Sequence, residues 1–245
     1  MVYSYINLTL EYVFIHHIFP RIAKGSSLNN SHIMRKCVKL NSLMNTVDVF
    51  ILNASLIKDN YDFVLSFVDK NRKDKALKYV HENDRYLSLG AGYLLKKYLP
   101  KGEIKENENG KPYLENGPYF NVSHSRDYVV LAISNTRALG VDIEYIDSNR
   151  VDAVEYVLTK EEKEILDPKT LFMIWSNKES LIKCNSNGLK DIKDVSGLPL
   201  EGVRKVNNEC YYTRSAIYDN YALSVTLKGK EPFEINKINI DYLEE

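Results

Sequence analysis

A chain of 245 residues with 33 basic and 33 acidic side chains carries no net charge, which excludes a whole-surface attraction to nucleic acid or to an anionic membrane and leaves only local patches. An apolar content of 44% fits a soluble globular protein long enough to bury one large core or two smaller ones. Three cysteines, Cys37, Cys184 and Cys210, are too few and too far apart for a disulfide framework or a zinc site, and they point to a reducing cytoplasm.

Residues 1–45 read as an extension that carries no legible chemistry. The apolar and aromatic run at 12–19 has no basic stretch before it, contains His16 and His17, and is too short to span a bilayer, which argues against a targeting or membrane segment. Regular structure begins at residue 47, where VDVFIL has the β-branched and aromatic content of a buried strand over 47–52. Three helices are expected next, over 62–68, 73–80 and 84–98, the last with an N-cap at Asn83 or Asp84 and a stop at Pro100. Turn signals at Asn109-Gly110 and Asn116-Gly117-Pro118 bracket a short strand over 111–114. Further strands are expected over 119–122, 128–134 and 138–145, the last two joined by a tight turn at 135–137.

The second half repeats helices followed by strands. Thr159 with Glu162 three residues on forms a capping box for a short helix, and Asp167 with Pro168 opens a longer one that runs to about Cys184 and closes at Gly188. Strands follow near 202–206, 209–218 and 221–227. The expected class is α+β, with two pseudo-duplicated α/β halves over 46–136 and 137–245 and the active site in the cleft between them.

Three clusters along this framework carry chemistry. A period of two puts Asp142 and Glu144 on one face of a strand, with Val141 and Ile143 pointing into the core. Two such carboxylates repel unless a cation lies between them, and hard oxygen ligands suit Mg²⁺; the plainer reading is a strand with one solvated face. On the long helix, Trp175, Glu179 and Lys183 recur every four residues beside apolar Leu171, Ile174 and Ile182, so a carboxylate, an ammonium and the only tryptophan share an edge of the buried face. There the plainer reading is a surface ion pair worth about 0.3–0.5 kcal/mol. Lys111 and Pro112, followed by Ser123 and His124 at a strand end, offer donors to phosphate oxygens, although a lone histidine also serves to cap a turn. Lys70, Arg72, Lys73, Lys75 and Lys78 add a basic cluster, which would otherwise be a solvated helix face.

In this order and at these separations, Phe120-Asn121-x-Ser123-His124-Ser125, Gly140-x-Asp142-x-Glu144 and Trp175-x-x-Lys178-Glu179-x-x-x-Lys183 resemble the signatures of the 4′-phosphopantetheinyl transferase superfamily. The likeness is to the long single-chain type that activates peptide and polyketide synthetases, and it spans about residues 47–230. The stretch at 91–95, with Asp84-Arg85 before it, also looks like that family's N-terminal half.

The resemblance implies that Asp142, Glu144 and Glu179 hold Mg²⁺ against the pyrophosphate of coenzyme A and that Lys183 contacts its phosphates. Lys111, Pro112, Ser123 and His124 fall where the family holds the nucleotide end; Arg72 and Lys75, with a one-residue gap before Arg85, fall where it holds the 3′-phosphate. It implies transfer of the phosphopantetheine arm to a serine of an apo acyl- or peptidyl-carrier protein; one chain that contains both halves makes a monomer sufficient for a complete cleft, and the neutral charge balance argues against a nucleic-acid or membrane partner. Serine needs a general base, and Glu179 or a metal-bound water is the candidate, with Lys183 stabilising the leaving adenosine 3′,5′-bisphosphate. A metal-dependent nuclease or phosphodiesterase would combine similar groups, but its glutamate and lysine commonly sit two apart on a strand. A silent relative that only binds coenzyme A or carrier domains would not be expected to keep all three carboxylates and the lysine.

Overall fold

Nearly every residue of the VDVFIL run meets protein on both sides, and this sets the layering. The computed structural model describes residues 45–185 and 192–244; the expected extension up to residue 44 and the helix stop at Gly188 lie outside them. Strand β1 (Thr46–Asn53) sends Phe50 and Leu52 into one hydrophobic core and Val47, Val49 and Ile51 into another, as the two-residue period of a strand requires.

The first core lies between β1 and four helices, α1 (Ala54–Asp59), α2 (Tyr61–Phe67), α3 (Lys70–Ala76) and α4 (Glu82–Tyr98). A small hairpin follows, β2 (Ile104–Glu106) with β3 (Pro112–Leu114), and then β4 (Tyr119–Ser125) and β5 (Tyr128–Ser134). The turn after β5 is built on Ser134, whose hydroxyl accepts from the amides of Thr136 and Arg137. The chain continues through β6 (Leu139–Tyr145), α5 (Pro168–Asn185), β7 (Glu201–Val206), β8 (Glu209–Tyr218), β9 (Tyr221–Lys228) and β10 (Glu234–Ile240). One sheet has the order β10-β1-β5-β4 and the other β6-β9-β8-β7. The second core gathers Val130 and Ala132 from the first sheet with Val141, Ile143, Leu223 and Val225 from the second. This mixture of helices with largely antiparallel sheets is the expected α+β class. Among the described residues no helix is long and apolar enough to cross a membrane.

Several elements differ from expectation for local reasons. Helix α4 starts at Glu82 with His81 at the N-cap, not at Asn83 or Asp84. Asn83 is turned instead to the Arg126 carbonyl at 2.8 Å, while Glu82 and Asp84 sit in the first turn, where the helix dipole favours anions. Helix α1, which sequence reasoning did not resolve, is capped by Asn53, whose side chain accepts from the Ser55 amide. Strand β4 runs three residues further than expected because Ser123, His124 and Ser125 continue the antiparallel register with β5. Strand β10 was not foreseen at all; it is a polar edge strand that pairs in parallel with β1, from Thr46 opposite Glu234 to Leu52 opposite Ile240.

The capping box is reciprocal, as expected: the Thr159 amide donates to Glu162 and the Glu162 amide to the Thr159 hydroxyl. It opens only a single 3-10 turn, Glu162–Glu164. Asp167 accepts from the Thr170 amide at 3.0 Å and starts α5. The buried face of α5 is apolar at Leu171 and Ile174, but Ile182 is only partly covered and the middle of the strip is Ser176, Asn177 and Ser180. Those side chains meet the hydroxyl-rich face of the second sheet: Ser180 pairs with Thr226 at 2.7 Å and Asn177 donates to Ser215 at 2.9 Å. Small residues on the helix let its backbone come down close to β6.

Candidate active site

Two strands and one helix converge where the sheets meet. Strands β4 and β6 lie side by side at this seam, joined by side chains. Asn121, Ser123 and Ser125, alternate residues of β4, accept in turn from the backbone amides of Val141, Ile143 and Tyr145 on β6, at 3.0, 3.4 and 3.1 Å. The serine hydroxyls also reach the carboxylates between those amides: Ser123 donates to Asp142 at 3.0 Å and Ser125 to Glu144 at 3.2 Å. Each serine thus fixes both a strand and the acid it presents.

Helix α5 lies over the same strand at Gly140. A Cβ at that position would stand 2.0 Å from the Ser180 carbonyl oxygen and 2.4 Å from the Cys184 nitrogen, so only glycine lets the helix backbone settle on β6. The close approach delivers Lys183, whose ammonium lies 2.6 Å from Asp142 Oδ1 and 2.9 Å from the Ser123 hydroxyl. Asp142 is only 2% exposed, which removes the reading of a solvated strand face. Its second oxygen, Oδ2, is buried with no hydrogen-bond partner, an arrangement that costs free energy unless a cation or donor reaches it.

The three acids influence one another electrostatically. Burial, and then the charge of Asp142, push the Glu144 carboxyl up to about 8. The same two causes raise Glu179. Raised values of this kind mark carboxyls withdrawn from water, with a neighbouring negative charge adding to the effect. Among the described residues no three acidic, histidine or cysteine side chains already form a closed metal-binding group. The donor chemistry nevertheless fits a hard divalent cation: carboxylate oxygens, one of them orphaned, with charges that repel.

His124 stands at the rim of this cluster, and desolvation followed by the Lys183 ammonium lowers its pKa. Lys75, exposed on α3, and Asp84 on α4 also act on it, so elements from the first sheet's helices border the site. Arg72 and Arg85 both interact with Tyr79. Arg85 donates to the Tyr79 carbonyl at 3.2 Å, and burial, tempered by Tyr79 and Asp69, lowers the Arg72 pKa. The Arg72 stem fills the space above Gly92, where a Cβ would come within 2.4 Å of it.

Lys111 occupies an unexpected place. Its ammonium donates to the carbonyls of Leu139, Lys183 and Cys184, at 2.9, 2.6 and 3.5 Å, and so uses all three protons on the start of β6 and the last turn of α5. It pins the backbone that carries Lys183. Pro112 begins β3 beside it, opposite Glu106.

Lys178, next to Glu179, faces the opposite way. With both side chains 1% exposed, its ammonium is 2.6 Å from Glu162, the acid of the capping box, and 2.5 Å from the Val157 carbonyl. Glu162 also accepts from the Gly197 amide and the Ser196 hydroxyl. Burial works against its charge, but Lys178 and the two amides hold its pKa below the usual carboxylate range. This pair anchors the loop before α5 and orients the helix from behind. Sequence reasoning missed it, and it also missed the stitching roles of Asn121 and Ser125. The repeat of short polar residues at every second position of β4 was the signal available for the latter.

Comparison with known proteins gives a consistent set of matches. Residues 138–226 match the family described as the 4′-phosphopantetheinyl transferase superfamily, and residues 55–136 match a second family described as 4′-phosphopantetheinyl transferase, N-terminal. The chain is 33% identical over 144 residues to the 4′-phosphopantetheinyl transferase gsp of Aneurinibacillus migulanus, covering 53% of this chain and 60% of that protein. It is 28% identical over 217 residues to the 4′-phosphopantetheinyl transferase ffp of Bacillus subtilis, covering 78% of this chain and 96% of the relative. A third relative, the 4′-phosphopantetheinyl transferase HetI of Nostoc sp., is 28% identical over 138 residues, or 48% of this chain and 58% of HetI. The match therefore spans less than two thirds of the length of gsp and HetI and nearly all of ffp.

Proposed function

Because the chain belongs to the 4′-phosphopantetheinyl transferase superfamily, we propose that it moves the 4′-phosphopantetheine arm of coenzyme A onto a serine of an apo acyl- or peptidyl-carrier protein. The other product is adenosine 3′,5′-bisphosphate. The observation that carries this reading is the meeting of Asp142, Glu144, Glu179 and Lys183 at the seam between the sheets, with a buried carboxylate oxygen left unpaired.

In this reading Asp142, Glu144 and Glu179 hold Mg²⁺, which when bound supplies positive charge to the diphosphate oxygens of coenzyme A. Ser123 and Ser125 keep two of those carboxylates in place. Lys183, on a four-carbon stem, turns its ammonium to the phosphates and stabilises the departing bisphosphate. Glu179 takes the proton of the acceptor serine as its oxygen bonds to the β-phosphorus and the bond to the bridging oxygen breaks. His124 and exposed Lys75 border the nucleotide end, with Lys75 toward the 3′-phosphate. The direct test is mass spectrometry of an apo carrier protein incubated with coenzyme A and Mg²⁺. A gain of one phosphopantetheine group is the expected result, and an unmodified carrier set containing both acyl and peptidyl types would overturn the assignment.

The placement of Lys75 makes a narrower prediction. Lys75→Ala is expected to raise KM for coenzyme A about tenfold, the scale of one charge-assisted hydrogen bond, with little change in kcat. With dephospho-coenzyme A, which lacks the 3′-phosphate, wild type and variant should have the same KM. An equal loss on both substrates would remove Lys75 from the 3′-phosphate site.

The raised Glu144 pKa predicts a pH dependence that metal should offset. The folded protein keeps the Glu144 proton up to about 8, whereas the unfolded chain releases it near the ordinary carboxylate value of 4.5. Between those values the folded state binds more protons, so stability falls as pH rises through the window. A divalent cation supplies the missing charge, and in thermal unfolding its stabilisation should be larger near pH 8 than near pH 6. A metal-induced rise in Tm independent of pH would separate Glu144 from the cation.

A further inference from the structure

We propose that Lys183 acts as a built-in competitor for the divalent cation, occupying the carboxylate that the metal needs until a diphosphate draws it away. The proposal rests on the reading of Asp142, Glu144 and Glu179 as the metal ligands. Its basis is the position of the ammonium, 2.6 Å from Asp142 Oδ1 and held by a second bond to Ser123 at 2.9 Å. Among the described residues it is the only cation in salt-bridge contact with any of the three acids.

The two partners differ in freedom. Asp142 is fixed: it lies on a strand, 2% exposed, and Ser123 donates to the same oxygen that meets Lys183. Lys183 is 29% exposed along its side chain, and its backbone is pinned by Lys111. The anchored backbone and the mobile stem let the ammonium swing without moving the helix. While it stays on Asp142, a divalent ion arriving at the orphaned Oδ2 meets a like charge across a single carboxylate. Bound phosphates offer the ammonium an equivalent anionic partner, and its departure frees Asp142 for the metal. Metal and coenzyme A therefore enter cooperatively: each raises the affinity of the other by the same factor, and metal alone binds weakly.

The test is titration with Mn²⁺, read by the paramagnetic resonance signal of the free ion, on the full chain without and with coenzyme A. Wild type is compared with Lys183→Met, Lys183→Gln and the charge-keeping Lys183→Arg, each first checked for an unchanged unfolding transition. Without coenzyme A, the two neutral variants are expected to bind Mn²⁺ about tenfold more tightly than wild type, and the arginine variant to bind as weakly as wild type. The gain should persist in high salt, because a contact pair is screened far less than a long-range field. With coenzyme A present, wild-type affinity should rise to or above that of the neutral variants. Equal Mn²⁺ affinity in wild type and both neutral variants would overturn the competition while leaving the metal site intact. Absence of Mn²⁺ binding in every protein, with or without coenzyme A, would instead remove the metal site itself, and this inference with it.

Discussion

Asp142→Asn is expected to lower kcat/KM for phosphopantetheinyl transfer by at least about 10²-fold while leaving the protein folded. The substitution keeps the shape of the side chain and an oxygen for the Ser123 hydroxyl, and removes only the charge. Breaking a fully buried ion pair costs about 3–5 kcal/mol, but Lys183 retains access to water and can leave its neutral partner for solvent. The stability loss should therefore be well below that range, visible as a small drop in Tm. What disappears is the most buried anion of the cluster. Near-wild-type transfer at saturating Mg²⁺ would end the case for a carboxylate-held metal at this seam.

Gly140→Ala is expected to damage stability and activity together. The added methyl group would point into the α5 backbone, 2.0 Å from the Ser180 carbonyl oxygen and 2.4 Å from the Cys184 nitrogen, and neither can rotate aside. The helix must lift from β6. Overpacking of this kind typically costs about 1–3 kcal/mol and sometimes more, and here the lifted segment carries Glu179 and Lys183 away from Asp142 and Glu144. A displacement of about 1 Å at reacting groups can cost on the order of 10²-fold in rate. Circular dichroism melting and the carrier-protein assay report the two losses separately. If Gly140→Ala keeps full activity, helix contact at this glycine is not what sets the geometry of the site.

How far the site could be read in the sequence depended on whether its parts were local. Asp142 and Glu144 were legible because a strand period of two is visible within five residues, and Glu179 with Lys183 because a helix repeats every four. The grouping of the two pairs needed the resemblance, since nothing within either segment says that it meets the other. Lys111 is the clearest case of what stayed hidden. The resemblance assigns it to the nucleotide, whereas its protons are directed at three carbonyls contributed by β6 and α5. Lys178 was hidden for the same reason: its partner Glu162 lies in a capping box that looks complete by itself. Most elements of the fold were legible from turns and periodicity. The exceptions included α1 and β10; in β10 the Asn, Lys and Glu side chains suit an exposed edge and break up its isoleucines, so that only Ile238 and Ile240 alternate, too short a pattern to mark a strand.

That last strand constrains the order in which the molecule can be made. Because residues 234–240 form the parallel neighbour of residues 46–52, the earliest part of this sheet to be synthesised waits for the latest. A nascent chain halted after β9 would carry Asp142, Glu144 and Glu179, yet one edge of β1 would remain bare, with its peptide groups facing water or another polypeptide. Such distant pairing slows folding, and trimming a few residues beyond the recognisable motifs should therefore lower soluble yield before it touches the chemistry.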